Sequence, residues 1–183
     1  MKPRGPLMIE HKLIEKMIEI IKRQIAIINT TNKINPLFID ITVDFIKTYA
    51  DRTHHGKEED ILFRDLRKKN IKGQNANMMN ELIEEHQYGR KMVKGLVEAK
   101  ERYLSGQKDQ LKIVSQYLQK LVDFYPNHIK KEDEAFFPNT EKYFSSIELD
   151  AMLKEFWEFD RKMIHEKYKS VLEDSKIHLL LSS

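Results

Sequence analysis

Cysteine is absent from all 183 residues. That excludes disulfides, thiolate metal sites, iron–sulfur clusters and a cysteine nucleophile, so any metal here is held by nitrogen and oxygen. Glycine and proline are scarce, with six and five residues, which leaves long stretches free for helix. There is no glycine-rich phosphate loop, and HHGK lacks the P-loop pattern. Serine is sparse near any His/Asp grouping, so a hydrolase triad has no evident parts. No apolar run approaches the roughly 20 residues of a membrane span. The start, MKPRGPLMIEHK, has no signal-peptide apolar core, and a soluble, cytoplasmic protein without a membrane partner is expected. An excess of one charge is missing too. The 32 basic and 29 acidic residues leave +3, without the basic block and interleaved aromatics that nucleic acid requires.

What is present is helical periodicity. Leu7, His11, Ile14, Ile18, Ile21, Ile25 and Ile28 recur at three- and four-residue steps, one face of a first helix from about Leu7 to Asn29. NTTNKINP then turns the chain, with Pro36 suited to the first turn of a second helix running through His54 to about Lys69. After KKNIKGQNAN a third helix carries Met79, Leu82, His86, Val93 and Leu96 and ends near Leu104 at SGQKDQ. A fourth carries Leu111, Val114, Leu118, Leu121, Tyr125, His128, Glu132 and Phe136, with a kink expected at Pro126. A fifth, about 146–173, has Leu149, Leu153, Phe156, Trp157 and Ile164 as its apolar positions, and the final LLLSS reads as frayed. Tyr49 and Tyr88 read as core aromatics. The expected fold is all-α: an antiparallel up-down four-helix bundle over about 7–140 with an additional C-terminal helix, forming one domain across 1–183.

HHGKEEDILF at 54–63 recurs in outline as HIKKEDEAFF at 128–137, so a His-x-x-x-Glu pair appears twice. Such a pair shares one helix face. His11 lies about 21 residues before the first turn and His54 about 21 after it; His86 and His128 flank the third turn by about the same amount, so antiparallel folding at about 1.5 Å per residue brings all four to one depth. Imidazole and carboxylate groups meeting at one depth suit iron, manganese or zinc, and paired carboxylates suit two ions because each can bridge. His55 with Glu59 has the same spacing as His54 with Glu58. The repeat alignment favours His54 and Glu58, leaving His55 as a support or a substitute ligand.

The order His11, His54-x-x-x-Glu58, Glu85-His86, His128-x-x-x-Glu132 resembles the hemerythrin-like, or HHE cation-binding, family over about residues 7–140. The resemblance implies a bundle holding a non-haem di-iron centre, with His11, His54, His86 and His128 as terminal ligands and Glu58 and Glu132 as bridges. Oxygen carriers of the family have a fifth histidine where this chain has Arg90, so a coordination position is open or another ligand fills it. They also use an aspartate that Asp133 would match. Glu132 is preferred because four residues keep it within about 40° of His128 on the helical wheel, whereas five give about 140°. His165 on the fifth helix is a further candidate, as is Glu59. The implied function is to bind or sense oxygen, peroxide or nitric oxide at two iron ions. The alternatives are a catalase- or peroxidase-like di-iron oxidoreductase and a helical interaction module without metal.

Overall fold

The structure, a computed structural model, describes residues 2–181 and the side chains of residues 2–173. Among them there is helix and no strand. α1 spans Arg4–Thr31 and buries Leu7, His11, Ile14, Ile18, Ile21, Ile25 and Ile28, the stripe expected from the sequence. It stops where Asn32 takes a left-handed conformation and its N–H closes on the Ile28 carbonyl. α2 (36–68) opens with Pro36 in its first turn and the Asn35 side chain accepting the Phe38 N–H at 3.3 Å. α3 spans Gln74–Leu104.

α4 (110–140) runs through Pro126 without a break. The helix is continuous there, and the departure from α-geometry comes later, at Glu132–Phe136. α5 spans Ser146–Leu181 and starts on a capping box. The Ser145 N–H donates to Glu148 Oε2 at 2.9 Å, and the Glu148 N–H donates back to Ser145 Oγ at 3.3 Å. Of LLLSS, the backbone stays helical to Leu181, while Ser182 and Ser183 lie outside the described residues.

α1 packs on α2 and α4, α3 packs on α2 and α4, and α5 packs along α2. The core divides into two apolar clusters. One gathers Ile14, Ile18, Ile46, Ala50, Val93, Leu121, Tyr125 and Ile129 among others. The second gathers Leu7, Ile61, Phe63, Leu82, Phe136 and Phe156. On α1, α2 and α3 a histidine sits where the stripe passes from one cluster to the other. His11 lies between Leu7 and Ile14, His54 between Ala50 and Ile61, and His86 between Leu82 and Val93. Not every expected core aromatic is inside. Tyr88 and Trp157 are about half exposed and Ile164 more than half, and Tyr88 rests edge to face on Phe124 of α4 at the rim of the core.

α2 departs from α-geometry where the chemistry lies. Its hydrogen bonds widen to the π pattern over Phe45–His55 and Glu58–Phe63. The Thr53 hydroxyl reinforces the first of these by donating to the Thr48 carbonyl, five residues back, at 2.8 Å. Widening the turn by a residue changes which side chains face inward, and such turns gather at functional sites.

Candidate metal centre

Five imidazoles and two carboxylates meet in the layer between the apolar clusters. His11, His54, Glu58 and Glu132 form one group of potential ligand atoms and His55, His86 and His128 a second, the atoms of each lying within 4.8 Å of one another. All seven residues are buried. The carboxylates span the two groups. Glu58 Oε1 lies 3.7 Å from His54 Nε2 while its Oε2 lies 3.3 Å from His86 Nε2. Glu132 Oε2 lies 3.1 Å from His11 Nε2 while its Oε1 lies 3.3 Å from His128 Nε2.

His54 and His55 were competing registers in the sequence, and the structure turns both inward. The π-helical turn ending at His55 gives two consecutive positions to the interior. His55 stacks on His86 with ring centroids 3.8 Å apart, and His54 meets His11 edge to face at 4.5 Å. The six residues chosen from spacing all reach the centre. Glu59 stands behind it on His86, and His165 is exposed on α5, away from both groups. The choice of Glu132 over Asp133 also agrees with the geometry, since Asp133 lies on the outer nitrogen of His11.

Each imidazole is held from behind by an acid. The Nδ1 atoms of His11, His54, His55, His86 and His128 face Asp133 at 2.9 Å, Glu10 at 2.9 Å, Asp51 at 3.4 Å, Glu59 at 2.7 Å and Glu85 at 2.8 Å. A carboxylate only accepts, so every Nδ1 carries a proton, and Nε2 is the inward nitrogen whose lone pair is free to bind whenever the ring is neutral. Spacing alone did not select Glu10, Asp51 and Glu85. A signal was available, because Glu10, Glu59, Glu85 and Asp133 are each adjacent in sequence to an inward ligand. About 100° further round the helix, such a residue faces the neighbouring helix.

The inner side is the reverse. The Nε2 atoms of all five histidines and both oxygens of Glu58 and Glu132 are buried without a hydrogen-bond partner. Nine orphaned polar atoms in one dry layer cost far more than a fold tolerates unless something binds them. A lone-pair nitrogen and a carboxylate oxygen share one natural partner, a cation. The donors therefore fit metal.

The family model for the hemerythrin HHE cation-binding domain matches residues 6–140, well over half of the chain. The chain belongs to that family. No curated protein and no solved structure matches it. For this hemerythrin-like chain the match covers α1–α4 and leaves α5 outside. No helix among its described residues is long and apolar enough to cross a membrane.

The field of the carboxylates shows in the protonation of the histidines. Burial lowers the pKa of His11, but Asp133 and Glu132 override it and raise the group to about 10. Burial is likewise outweighed at His86, which Glu132, Glu58 and Glu59 raise to about 11. His55 goes the other way, pushed down by burial and by the neighbouring imidazoles of His86, His128 and His54. Glu132, despite burial, is held well below the usual carboxylate range by His128, His11 and His86.

Arg90 occupies the position of the carriers' fifth histidine and does not enter the centre. Its guanidinium donates to Asp51 and Glu59 at 2.8 Å each, the acids behind His55 and His86. Beside it a cavity of about 260 Å³ opens between Ile46, Gly89, Val93 and Tyr125, with His55 and His86 in its wall.

Proposed function

We propose that the chain is a dimetal protein of antiparallel four-helix-bundle type that binds or senses oxygen, peroxide or nitric oxide. His11 and His54 would hold one ion and His55, His86 and His128 the other, with Glu58 and Glu132 bridging. The observation that carries this is the set of nine unpartnered inward atoms backed by five outward carboxylates. His55 supplies the fifth imidazole that position 90 does not. Nitrogen and oxygen donors without thiolate favour iron, and suit manganese or zinc as well.

The bound pair supplies redox electrons and coordination positions for a small ligand. The chain does the rest. Phe137 stacks on His11, Phe63 on His86 and Phe124 on His128, all with interplanar angles below 20°. These rings keep bulk water from the imidazoles and limit escape of reactive species. The outer carboxylates fix each ring's tautomer and orientation. The cavity beside Arg90 gives a ligand access to the His55 and His86 edge.

That access also favours a second reading, peroxide turnover. Metal quantitation on purified protein, with an optical spectrum before and after peroxide, tests the first. About two iron ions per chain with near-ultraviolet charge-transfer bands are expected, and absence of iron, manganese and zinc together would refute it. Catalytic loss of peroxide over many turnovers per chain separates the second.

A further inference from the structure

α5 lies beyond the matched family domain, yet it reaches the ligand-bearing turn of α2. The contact falls on Gly56 and Lys57, the two residues between His55 and Glu58. The tip of the Phe159 ring sits 2.7 Å from where a Cβ on Gly56 would be, so only glycine admits the ring in its present place. Lys57 is fully buried. Its ammonium lies 5.9 Å from the centroid of Phe156 and donates to Asp160 Oδ1 at 2.7 Å and to Glu10 Oε1. The other oxygen of Glu10 holds the Nδ1–H of His54. A continuous polar chain therefore runs from Asp160 through Lys57 and Glu10 to His54.

α5 is fastened on both sides of this point, by Glu155 on Arg64 at 2.6 Å and by Lys167 on Asp44. A buried ammonium needs its partners. With two carboxylates it sits between them, and Glu10 keeps one oxygen free for His54. With Asp160 neutralised, Glu10 is the remaining anion on Lys57 and is drawn toward it, away from the imidazole.

Resting on the dimetal reading above, we infer that the C-terminal helix is a working part of the metal centre, with Asp160 a positioning residue for His54 through Lys57 and Glu10. Its effect falls on the ion held by His11 and His54 and spares the ion at His55, His86 and His128. Loss of an outer hydrogen-bond partner such as Glu10 lowers metal affinity about 10–100-fold, and with Asp160 two steps further out the lower end, about tenfold, is expected.

The test compares the full chain with Asp160→Asn and Asp160→Ala, and with Glu155→Gln as a variant that loosens α5 without touching Lys57. Metal loss to excess chelator is followed for iron-loaded protein. In the Asp160 variants one ion of the two leaves about tenfold faster while the second keeps its wild-type rate; Glu155→Gln leaves both rates unchanged. Equal rates in all proteins, or both ions becoming labile together, overturn the inference. In parallel, hydrogen exchange of the imidazole Nδ1–H of His54 is compared with that of His128 in protein grown with zinc, which is diamagnetic with or without a bound ion. Faster exchange at His54 alone supports the assignment, and unchanged exchange overturns it. A wild-type chain that takes up no metal refutes the dimetal reading, and the exchange measurement still decides the role of Asp160.

Discussion

Replacing His55 by leucine separates stability from metal binding. In the metal-free chain His55 is buried with Nε2 unpartnered, and burial together with three neighbouring imidazoles keeps it neutral. An unsatisfied buried polar atom costs about 1–3 kcal/mol. Leucine has similar bulk and no such atom, so the metal-free variant gains up to that amount. Asp51 is not stranded by the change, because Arg90 donates to it at 2.8 Å. For a domain of this size 1 kcal/mol moves Tm by about 2–4 °C, so a rise of about 2–12 °C is expected in the chelated protein. With metal the order reverses. One ion loses a ligand, and the stabilisation by bound metal, which grows with the ratio of free metal to Kd, falls. Thermal unfolding with and without metal, alongside elemental analysis, gives both numbers. A His55→Leu chain that is less stable without metal, or that holds as much metal as wild type, would refute the reasoning.

Metal uptake should release protons. Imidazole binds metal only when Nε2 is deprotonated, and His11 and His86 are raised to about 10 and about 11 in the metal-free chain. Both are therefore protonated at neutral pH, and apparent affinity climbs with pH until about 11, by up to tenfold per pH unit for each proton displaced. Calorimetry in buffers of different ionisation heat counts those protons, and an affinity flat from pH 6 to 9 contradicts it. Arg90→Ala unties the acids behind His55 and His86 and, one step beyond the outer partners, should weaken metal binding about tenfold, whereas His165→Ala, on an exposed residue, should leave metal content unchanged. Gly56→Ala is expected to destabilise the chain by forcing the Phe159 ring aside. In a Phe159→Ala background the same change should stabilise, by about 0.8–1 kcal/mol of helix propensity; the same sign in both backgrounds would show that the ring does not set the constraint.

The helices were legible because their information is local. The stripe from Leu7 to Ile28 and the turn chemistry of Asn35–Pro36 need no tertiary partner to be read. The inward histidines were legible one step later, once equal distances from each turn implied equal depth. His55 was not decidable that way. A helical wheel turns consecutive residues about 100° apart, and the π-turn that brings both His54 and His55 inside appears only in the hydrogen bonding of the folded chain. At Pro126 the missing N–H is absorbed within a continuous helix, with Tyr125 and Ile129 on either side buried in the core. The reach of α5 to Lys57 was invisible, since nothing in a run of charged residues says which helix it will dock against.

The arrangement of charge argues that the centre is built for cations and is not merely a tolerated polar patch. A structural cluster would satisfy its own hydrogen bonds on every side. Here the satisfied and unsatisfied atoms sort by direction. All five outer nitrogens are hydrogen-bonded to carboxylates, and all five inner ones lack a hydrogen-bond partner. Glu58 and Glu132 inside, with Glu10, Asp51, Glu59, Glu85 and Asp133 behind, make seven carboxylates, whereas Lys57, Arg90 and Lys131 make three cations among them. The acids outnumber these cations, and Glu58 and Glu132 at the middle are fully buried with none of the three paired to them. The three cations sit outside the ring of acids, and none points to the middle. No side chain of this layer other than a protonated histidine can supply the missing positive charge. The raised pKa values of His11 and His86 are that deficit expressed as proton affinity, and divalent ions would offset it while meeting the inward nitrogens and carboxylate oxygens together.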